Sequence, residues 1–330
     1  MLSFGVSFAE ANLTGFFQIG INNNKITKSG NPTTTNKLED TNANTALNFT
    51  DVEDLGDGIK VTTNIGLNPS ISDSAALGGQ TTYAALSGGF GELQAGKFGN
   101  DQFWTVVAGD ATGYMGTNAA VVNLAFGTSS DSTPILGTYE VWTSNQVRYQ
   151  LPTFVQGLTL AYTNKLGGQT DTKYNADTLT GAYTTGGFNV QLTATQYKAD
   201  VGSTDTLTGI AASYDFGMAK LYALSTSAKV DGKGTVNGRN IGISVPVGAV
   251  TLMYNNSSAD GNLYNRTIKS VDQTSQDLGV TYAFSKRTTA WVLFTKYSGA
   301  TGGQGTDTNK GKVNSDSGFD SLRVMLTHSF

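Results

Sequence analysis

The residue types that most often carry enzymatic chemistry are scarce in this sequence. Its 330 residues include no Cys and a single His, His328, the third residue from the end. Covalent catalysis needs a nucleophile with a positioned base, and no cluster of carboxylates stands out in place of the missing bases. We therefore expect a protein that is not an enzyme, with no catalytic residues, no cofactor and no metal.

Apart from catalytic residue types, the chain has few charged residues, and these lie among neutral polar ones. Charged residues make up 14% of the chain and the formal net charge is -4, so no concentrated basic patch favours nucleic acid as a partner. The mean hydropathy is -0.19, and no window approaches the ~20 continuous apolar residues of a transmembrane helix. With 3 Trp, 14 Tyr and 16 Phe, the chain has too much apolar surface for disorder.

Apolar and polar residues alternate with a period of two along most of the chain. Ile59, Val61 and Thr63, for example, alternate with Lys60 and Thr62, so the two faces of this strand differ in chemistry. Seven short turns, six of them containing Gly, and eight longer polar segments, among them 24–41, 228–238 and 257–274, separate the alternating stretches, which predicts sixteen strands. In lipid, only helices and closed barrels pair every backbone group. We predict an all-β fold, a sixteen-stranded antiparallel transmembrane β-barrel; a soluble sandwich or propeller is the alternative.

Residues 100–142 interrupt this alternation, between predicted strands at 92–98 and 145–151. Long segments without regular structure are uncommon in compact domains and are usually functional. This one is also apolar, with Phe103, Trp104 and Tyr114 among its residues. We expect it to fold into the lumen as the third loop, anchored by these aromatic residues, and to constrict a pore.

Alternation also predicts which charges face the lumen. Val147 and Tyr149 lie on the apolar face, so Arg148 points inward, and the same rule turns Lys60 and Arg323 inward. Narrow passages owe their selectivity to such charges. Arg148, Lys60 and Arg323 are therefore candidate pore residues, although Lys60 and Arg323 can lie away from the constriction.

Lys97 is ambiguous. Strict alternation from Leu93 and Ala95 aims its side chain at lipid, where a midplane lysine costs about 2–4 kcal/mol. A β-bulge at Gly96 would turn it toward the lumen. The alternative is a Lys97 that stays outside and reaches the headgroups at the membrane interface.

Five segments and the last residue carry a family resemblance. They are LNFTDVEDLGDGIK at 47–60, GGFGELQAGKFG at 88–99, NQVRYQLPTFVQGL at 145–158, SVPVGAVTL at 244–252, LGVTYAFSKRT at 278–288, and Phe330. In this order they resemble the general diffusion porins of Gram-negative outer membranes, most of all the beta-proteobacterial type. The resemblance implies a sixteen-stranded barrel, usually a homotrimer, that passes small hydrophilic solutes.

Family porins set basic side chains on the wall against acidic ones on the inward loop. By resemblance, Arg148 and Lys97 match two wall positions, whereas Ala46 stands at a third position that is often Arg, which weakens the basic wall. Asp101 and Asp110 are the best acidic candidates on the loop, with Glu140 as a weaker one. The alternative for these carboxylates is ordinary solvation or N-capping.

We therefore expect an outer-membrane porin, a water-filled channel for passive diffusion of ions and small hydrophilic solutes; a solute-specific channel or a surface receptor barrel is the alternative. Outer-membrane lipid and lipopolysaccharide are the expected partners besides a homotrimer. The segment Ala9-Glu10-Ala11 has the small-x-small form of a signal-peptidase site. Residues 1–11 are thus a possible signal-peptide remnant before a single barrel domain at 12–330, unless a first strand begins early.

Overall fold

Seventeen strands and one short helix make up the part of the chain that the structure, a computed structural model, describes. The described residues are 11–28, 31–39, 45–69, 78–113, 115, 141–167, 175–198, 204–232, 234–263, 271–299 and 318–330. The elements are β1 (Asn12–Lys28), β2 (Asn31–Glu39), β3 (Ala46–Gly56), β4 (Ile59–Asn68), β5 (Gly78–Gly88), β6 (Gly91–Gly99), α1 (Asp101–Ala108), β7 (Trp142–Gln150), β8 (Leu158–Lys165), β9 (Asn175–Thr185), β10 (Phe188–Lys198), β11 (Thr204–Asp215), β12 (Lys220–Val230), β13 (Gly234–Val247), β14 (Val250–Leu263), β15 (Val271–Ala283), β16 (Thr288–Gly299) and β17 (Gly318–Ser329). Among the described residues, no helix is long and apolar enough to cross a membrane.

The sheet is antiparallel and closes on itself. From β3 to β17 each strand pairs with the next along the chain, and β17 returns to β1, where Phe17 lies opposite His328. Both β2 and β3 pair with β1, at its far and near halves, so together they fill one position in the ring. Seventeen strands thus form a sixteen-stranded barrel, which confirms the predicted fold.

Some predicted polar loops are strands in the structure. The segment predicted as a loop at 24–41 continues β1 and forms β2, while β12, β13 and β14 extend into the predicted loops at 228–238 and 257–274. These extensions lie beyond the apolar band, where both faces of a strand meet water. Alternation then disappears from the sequence although the backbone continues to pair.

The two faces of the barrel have opposite chemistry. Outward residues are large, apolar and exposed, as at Leu179 and Ile241, which have 63% and 70% of their surface accessible. Inward residues are polar and packed, as at Gln18 and Asn255. Because a barrel in lipid offers its apolar face to hydrocarbon and its polar face to a lumen, this inversion is the pattern of a membrane barrel.

The seam of the barrel is fixed at its last residue. Gly15 and Phe330 exchange backbone hydrogen bonds, with N···O distances of 2.9 and 3.0 Å. The Phe330 ring lies directly over Gly15, in the space that a Cβ there would occupy. A terminal aromatic residue and a residue without a side chain thus meet where the first and last strands join.

Candidate functional site

The lumen wall on β3, β4 and β5 is a network of neutral polar groups. The Asn64 amide donates to Thr50 Oγ1 at 2.8 Å, and Thr81 Oγ1 donates to Asn64 Oδ1 at 2.6 Å. Ala46 lies on the same inward face and is buried. This wall therefore offers amides and hydroxyls rather than charges, and it agrees with the departure from the family pattern noted at Ala46.

The connection between β6 and β7 begins with helix α1. Asn100 caps it, since its Oδ1 accepts a hydrogen bond from the Gln102 backbone N–H at 2.9 Å, and Asp101 occupies the first turn, where a negative charge suits the helix dipole. Gly109 ends it. The alternation pattern of the sequence gives no sign of this helix, because eight residues are too few to show a long helical stripe.

Arg148 and Asp101 form an ion pair between the wall and the loop. Arg148 Nη1 donates to Asp101 Oδ1 at 2.7 Å, and the side chains are 19% and 6% exposed. Asp101 Oδ2 accepts from the hydroxyls of Thr163 and Thr180, on β8 and β9, at 3.1 and 3.0 Å. The two residues predicted on opposite sides of a charged constriction are therefore bound directly to one another.

The rest of α1 continues along the same wall. Thr193 Oγ1 donates to Thr105 Oγ1 at 2.9 Å, and the Tyr197 hydroxyl donates to Gln102 Oε1 at 2.9 Å, both from β10. Phe103 is buried, as expected of an anchor. The expected anchor Tyr114 and residues 116–140 lie outside the described residues, as do residues 1–10.

Asp110 holds the turn that follows the helix. Its Oδ1 accepts from the backbone N–H and the hydroxyl of Thr112, at 2.7 and 2.8 Å, and from the Asn255 amide at 2.6 Å. Asn255 also accepts from the Ala111 N–H at 3.1 Å, while Asn240 donates to the Gly109 carbonyl at 2.7 Å. Asp110 thus holds a buried turn against β14, where it is neither freely solvated nor the N-cap of a helix.

Arg323 reaches the loop from the far side of the barrel. It is buried on the inward face of β17, and its Nη1 donates to the Met115 carbonyl at 2.9 Å. The described loop residues therefore touch inward side chains from β7 through β14 and again on β17. Such contacts place residues 100–113 and 115 inside the ring of strands.

Lys97 lies on the outward face. It pairs across the sheet with the exposed Thr82, and its Nζ donates to the Gly79 carbonyl at 2.7 Å. The next residue, Phe98, is buried on the lumen side, where its ring meets Tyr83 edge-on. The structure thus keeps Lys97 on the opposite face from Arg148 and out of the lumen, in contrast to the wall position that the family resemblance implies.

An irregularity does occur at Gly96, but it does not turn Lys97 inward. Gly96 pairs with Gln146 and Phe98 pairs with Thr143, so the extra residue belongs to β7 and not to β6. Asn145 takes a positive φ of 57° there. Because β6 itself keeps its alternation, the side chain of Lys97 stays on the lipid side.

Lys60 faces the lumen at the end of the barrel that carries the short turns. It lies opposite Asp54 and Ser87, immediately after the turn at Asp57 and Gly58. None of the loop contacts described above ends on β4. Lys60 is therefore an inward charge near one mouth of the barrel and is not brought together with Arg148.

Six wall residues that anchor the loop were not singled out in the sequence, namely Thr163, Thr180, Thr193, Tyr197, Asn240 and Asn255. Alternation does turn each of them inward, so a buried polar residue was predictable at each position. Their partners lie 62 to 145 residues away in the chain, and no local signal gives that distance. Within the described ranges, no three His, Asp or Glu side chains converge as a metal site.

Comparison with solved structures finds the same architecture in outer-membrane channels. An anion-selective porin from Comamonas acidovorans superposes with a TM-score of 0.75 at 20% identity, covering 98% of this chain and 100% of that one. OmpF of Salmonella typhi in complex with daunomycin gives 0.72 at 14% identity, with 97% of each chain covered. OmpT of Vibrio cholerae in a trimer form gives 0.65 at 15% identity, with 98% and 99% covered. At these identities, the likeness establishes the fold.

Direct comparison with curated protein sequences finds no match. The family model for Gram-negative porins matches residues 2–303, nearly the whole chain. A closed barrel with an apolar exterior and a polar lumen is the structure that such a family requires. The chain therefore belongs to the Gram-negative porins, and it is an outer-membrane β-barrel through which solutes diffuse passively.

Proposed function

We propose that this porin is a general diffusion channel, narrowed by the loop that begins at Asn100, with only a weak preference between cations and anions. The observation that carries the proposal is the ion pair between Arg148 and Asp101, at 2.7 Å. A positive wall facing a separate negative loop would give a strong transverse field in the lumen. Two opposite charges in direct contact largely cancel, so this pair adds little net field for a passing ion.

The many hydrogen bonds that hold the loop to the barrel wall support the proposal that the loop narrows the channel. Asp101 and Asp110 each accept at least three hydrogen bonds, and the contacts of residues 100–113 extend over β7 to β14. A loop bound by charged and neutral hydrogen bonds at both ends of one helix has few ways to swing clear. The described segment therefore occupies a fixed part of the cross-section.

The neutral lumen wall on β3, β4 and β5 supports the proposal of a weak preference between cations and anions. Asn64, Thr50 and Thr81 form a neutral network there, and Ala46 adds no charge. The porin of Comamonas acidovorans is described as anion-selective. In this chain an alanine, Ala46, stands at a wall position that is often basic, and Arg148 is neutralised by Asp101, so we expect a weaker preference for anions.

A reversal potential across a planar bilayer tests the proposal. In a tenfold gradient of KCl, a perfectly selective channel gives about 59 mV. We expect less than about a third of that value, with a conductance that rises linearly with salt concentration. A reversal potential close to the full value would show that uncancelled charge controls the pore, and conductance that saturates at low concentrations of one solute would indicate a specific channel.

We further propose that three copies of the chain assemble as a homotrimer and that the barrel performs no enzymatic step. A trimer form is described for one structural neighbour, and channel function in this family requires no reaction. Sedimentation of the detergent-solubilised protein tests the assembly. A single-barrel mass in several mild detergents would contradict it.

A further inference from the structure

The outward face of β8 to β12 contains an apolar recess of about 760 Å³. Aliphatic side chains form its walls, chiefly Leu160, Leu179, Leu192 and Ile210. Small residues between them, chiefly Gly181 and Ala194, form its floor. The volume lies within the range of about 300–1,000 Å³ typical of pockets that enclose a small organic ligand. A depression of this size on a membrane face can take an extended acyl chain.

Tyr162 connects the recess to a polar cluster on the same face. Its ring lines the recess, while its hydroxyl donates to Asp177 Oδ1 at 2.6 Å. Asn164 donates to the same oxygen at 2.7 Å, and Lys198 Nζ lies 2.7 Å from Asp177 Oδ2. Asp177 thus holds a well-exposed cation at the long-loop end of the recess.

A second cation lies in the same region. The outward residues Asp177, Gln196, Thr206 and Lys229 stand opposite one another in sequence across β9, β10, β11 and β12. This row follows directly on the last outward row of the recess, which runs through Leu179 and Ala194. Two lysines and one aspartate therefore border the recess where the apolar band ends, and exposed Arg239, opposite Ser225 of the lining, adds a third cation. The net charge of this border is positive even with Lys198 paired to Asp177.

We propose that this face binds one anionic phosphate-bearing lipid of the outer membrane, with an acyl chain in the recess and the phosphate at Lys198 and Lys229. Lipid tails are as apolar as Leu, so an apolar recess alone gives no preference among membrane lipids. Discrimination must come from the headgroup. Cations near a membrane surface attract anionic lipids, and here they are positioned above the recess that would hold the chain.

The same charges argue against a two-fold contact between copies of the chain on this face; in a three-fold ring the patch would meet a different surface, and the oligomer readout below tests that case. In a two-fold contact, the same patch meets itself. Lys198 and Lys229 of one copy would then approach their equivalents in the other, with only Asp177 to offset them. A phosphate brings the opposite charge, so it complements the patch where a two-fold contact would not.

Native mass spectrometry of the folded, detergent-solubilised protein with equal amounts of dioleoyl phosphatidylglycerol and dioleoyl phosphatidylcholine tests the inference. We expect one phosphatidylglycerol retained per chain in preference to phosphatidylcholine, which has the same chains. Lys198→Gln and Lys229→Gln should each lower retention about fivefold, because one cation near the surface contributes on that scale. Ala194→Trp fills the recess but leaves Lys198 and Lys229 unchanged. We expect this variant to lose retention of phosphatidylglycerol.

Matched controls separate the site from general charge and bulk. Lys296→Gln removes an exposed cation from β16, and Val280→Trp adds bulk to the outward face of β15; neither should change retention. Inorganic phosphate has no acyl chain and should not displace the lipid. Equal retention of the two lipids, or retention unchanged in the Lys198→Gln and Lys229→Gln variants, would overturn the proposal. Loss of higher oligomers in Ala194→Trp with lipid retention intact would overturn it too, and would assign the face to a second copy.

Discussion

Removal of Arg148 should change the ion selectivity of the pore and weaken the attachment of the loop to the barrel wall. In Arg148→Ala, Asp101 keeps the hydroxyls of Thr163 and Thr180 but loses its cation, so the lumen gains an uncancelled negative charge. We expect the reversal potential to shift toward cation selectivity. Asp101→Asn should shift it toward anions, because the positive charge of Arg148 is then left alone.

The free-energy cost of removing Arg148 can be worked out from its ion pair with Asp101. A hydrogen bond to a charged group contributes about 1.5–3 kcal/mol, and loss of one partner from a buried pair costs about 3–5 kcal/mol. Arg148 is 19% exposed to a wet lumen, so the lower estimate applies. A loss of about 2 kcal/mol makes detachment of this end of the loop roughly 30-fold more frequent. Single-channel records should therefore show more current noise in both variants.

The double variant decides the reasoning. If the two side chains act mainly on each other, Arg148→Ala combined with Asp101→Asn should return the reversal potential close to that of the unmodified channel, while the noise stays high. The effects of the two changes on reversal potential would then oppose each other. An unchanged reversal potential in Arg148→Ala would refute the idea that the ion pair sets the selectivity of this pore. So would an increase in current noise in the double variant equal to the sum of the increases in the two single variants, since that would mean the two side chains act independently.

Three further changes test other parts of the barrel. Gly15→Val places side-chain atoms where the Phe330 ring lies; overpacking costs about 1–3 kcal/mol, so we expect a smaller folded fraction in heat-modifiability gels. Asn255→Ala removes donors and acceptors from Asp110 and its turn; a buried group left without its partner costs about 1–3 kcal/mol, so single-channel noise should increase. Lys97→Ala should leave the reversal potential unchanged, because its ammonium group lies outside the lumen.

Each of these has a matched control or a contrary result. Gly79→Ala should fold normally, since nothing lies within 4 Å of a Cβ there; equal folded fractions for it and Gly15→Val would contradict the close packing at the seam. Asn189→Ala alters a lumen amide that bonds Thr184 and not the loop, and noise as high as in Asn255→Ala would show that the loop anchor is not the cause. A shift of reversal potential in Lys97→Ala would contradict its outward position.

Local alternation was sufficient for the fold and for the direction of most side chains. It gave the number of strand positions, the seven short turns and the inward placement of Arg148, Lys60 and Arg323. It was least informative where both faces of a strand are wet, as in β2 and in the outer parts of β13 and β14. There the hydrophobic contrast between the faces vanishes, and hydrogen bonding between neighbouring strands decides the structure.

The sequence by itself predicted a closed barrel with a polar interior, because a two-residue period combined with the need to pair every backbone group in lipid favours a barrel over a soluble sandwich or propeller. Only the tertiary structure decided which lumen charges meet. Asp101 and Arg148 are 47 residues apart, and Asp110 and Asn255 are 145 apart. The direction of a side chain is a local property of its strand, whereas its partner depends on how the ring of strands closes and on where the loop lies within it.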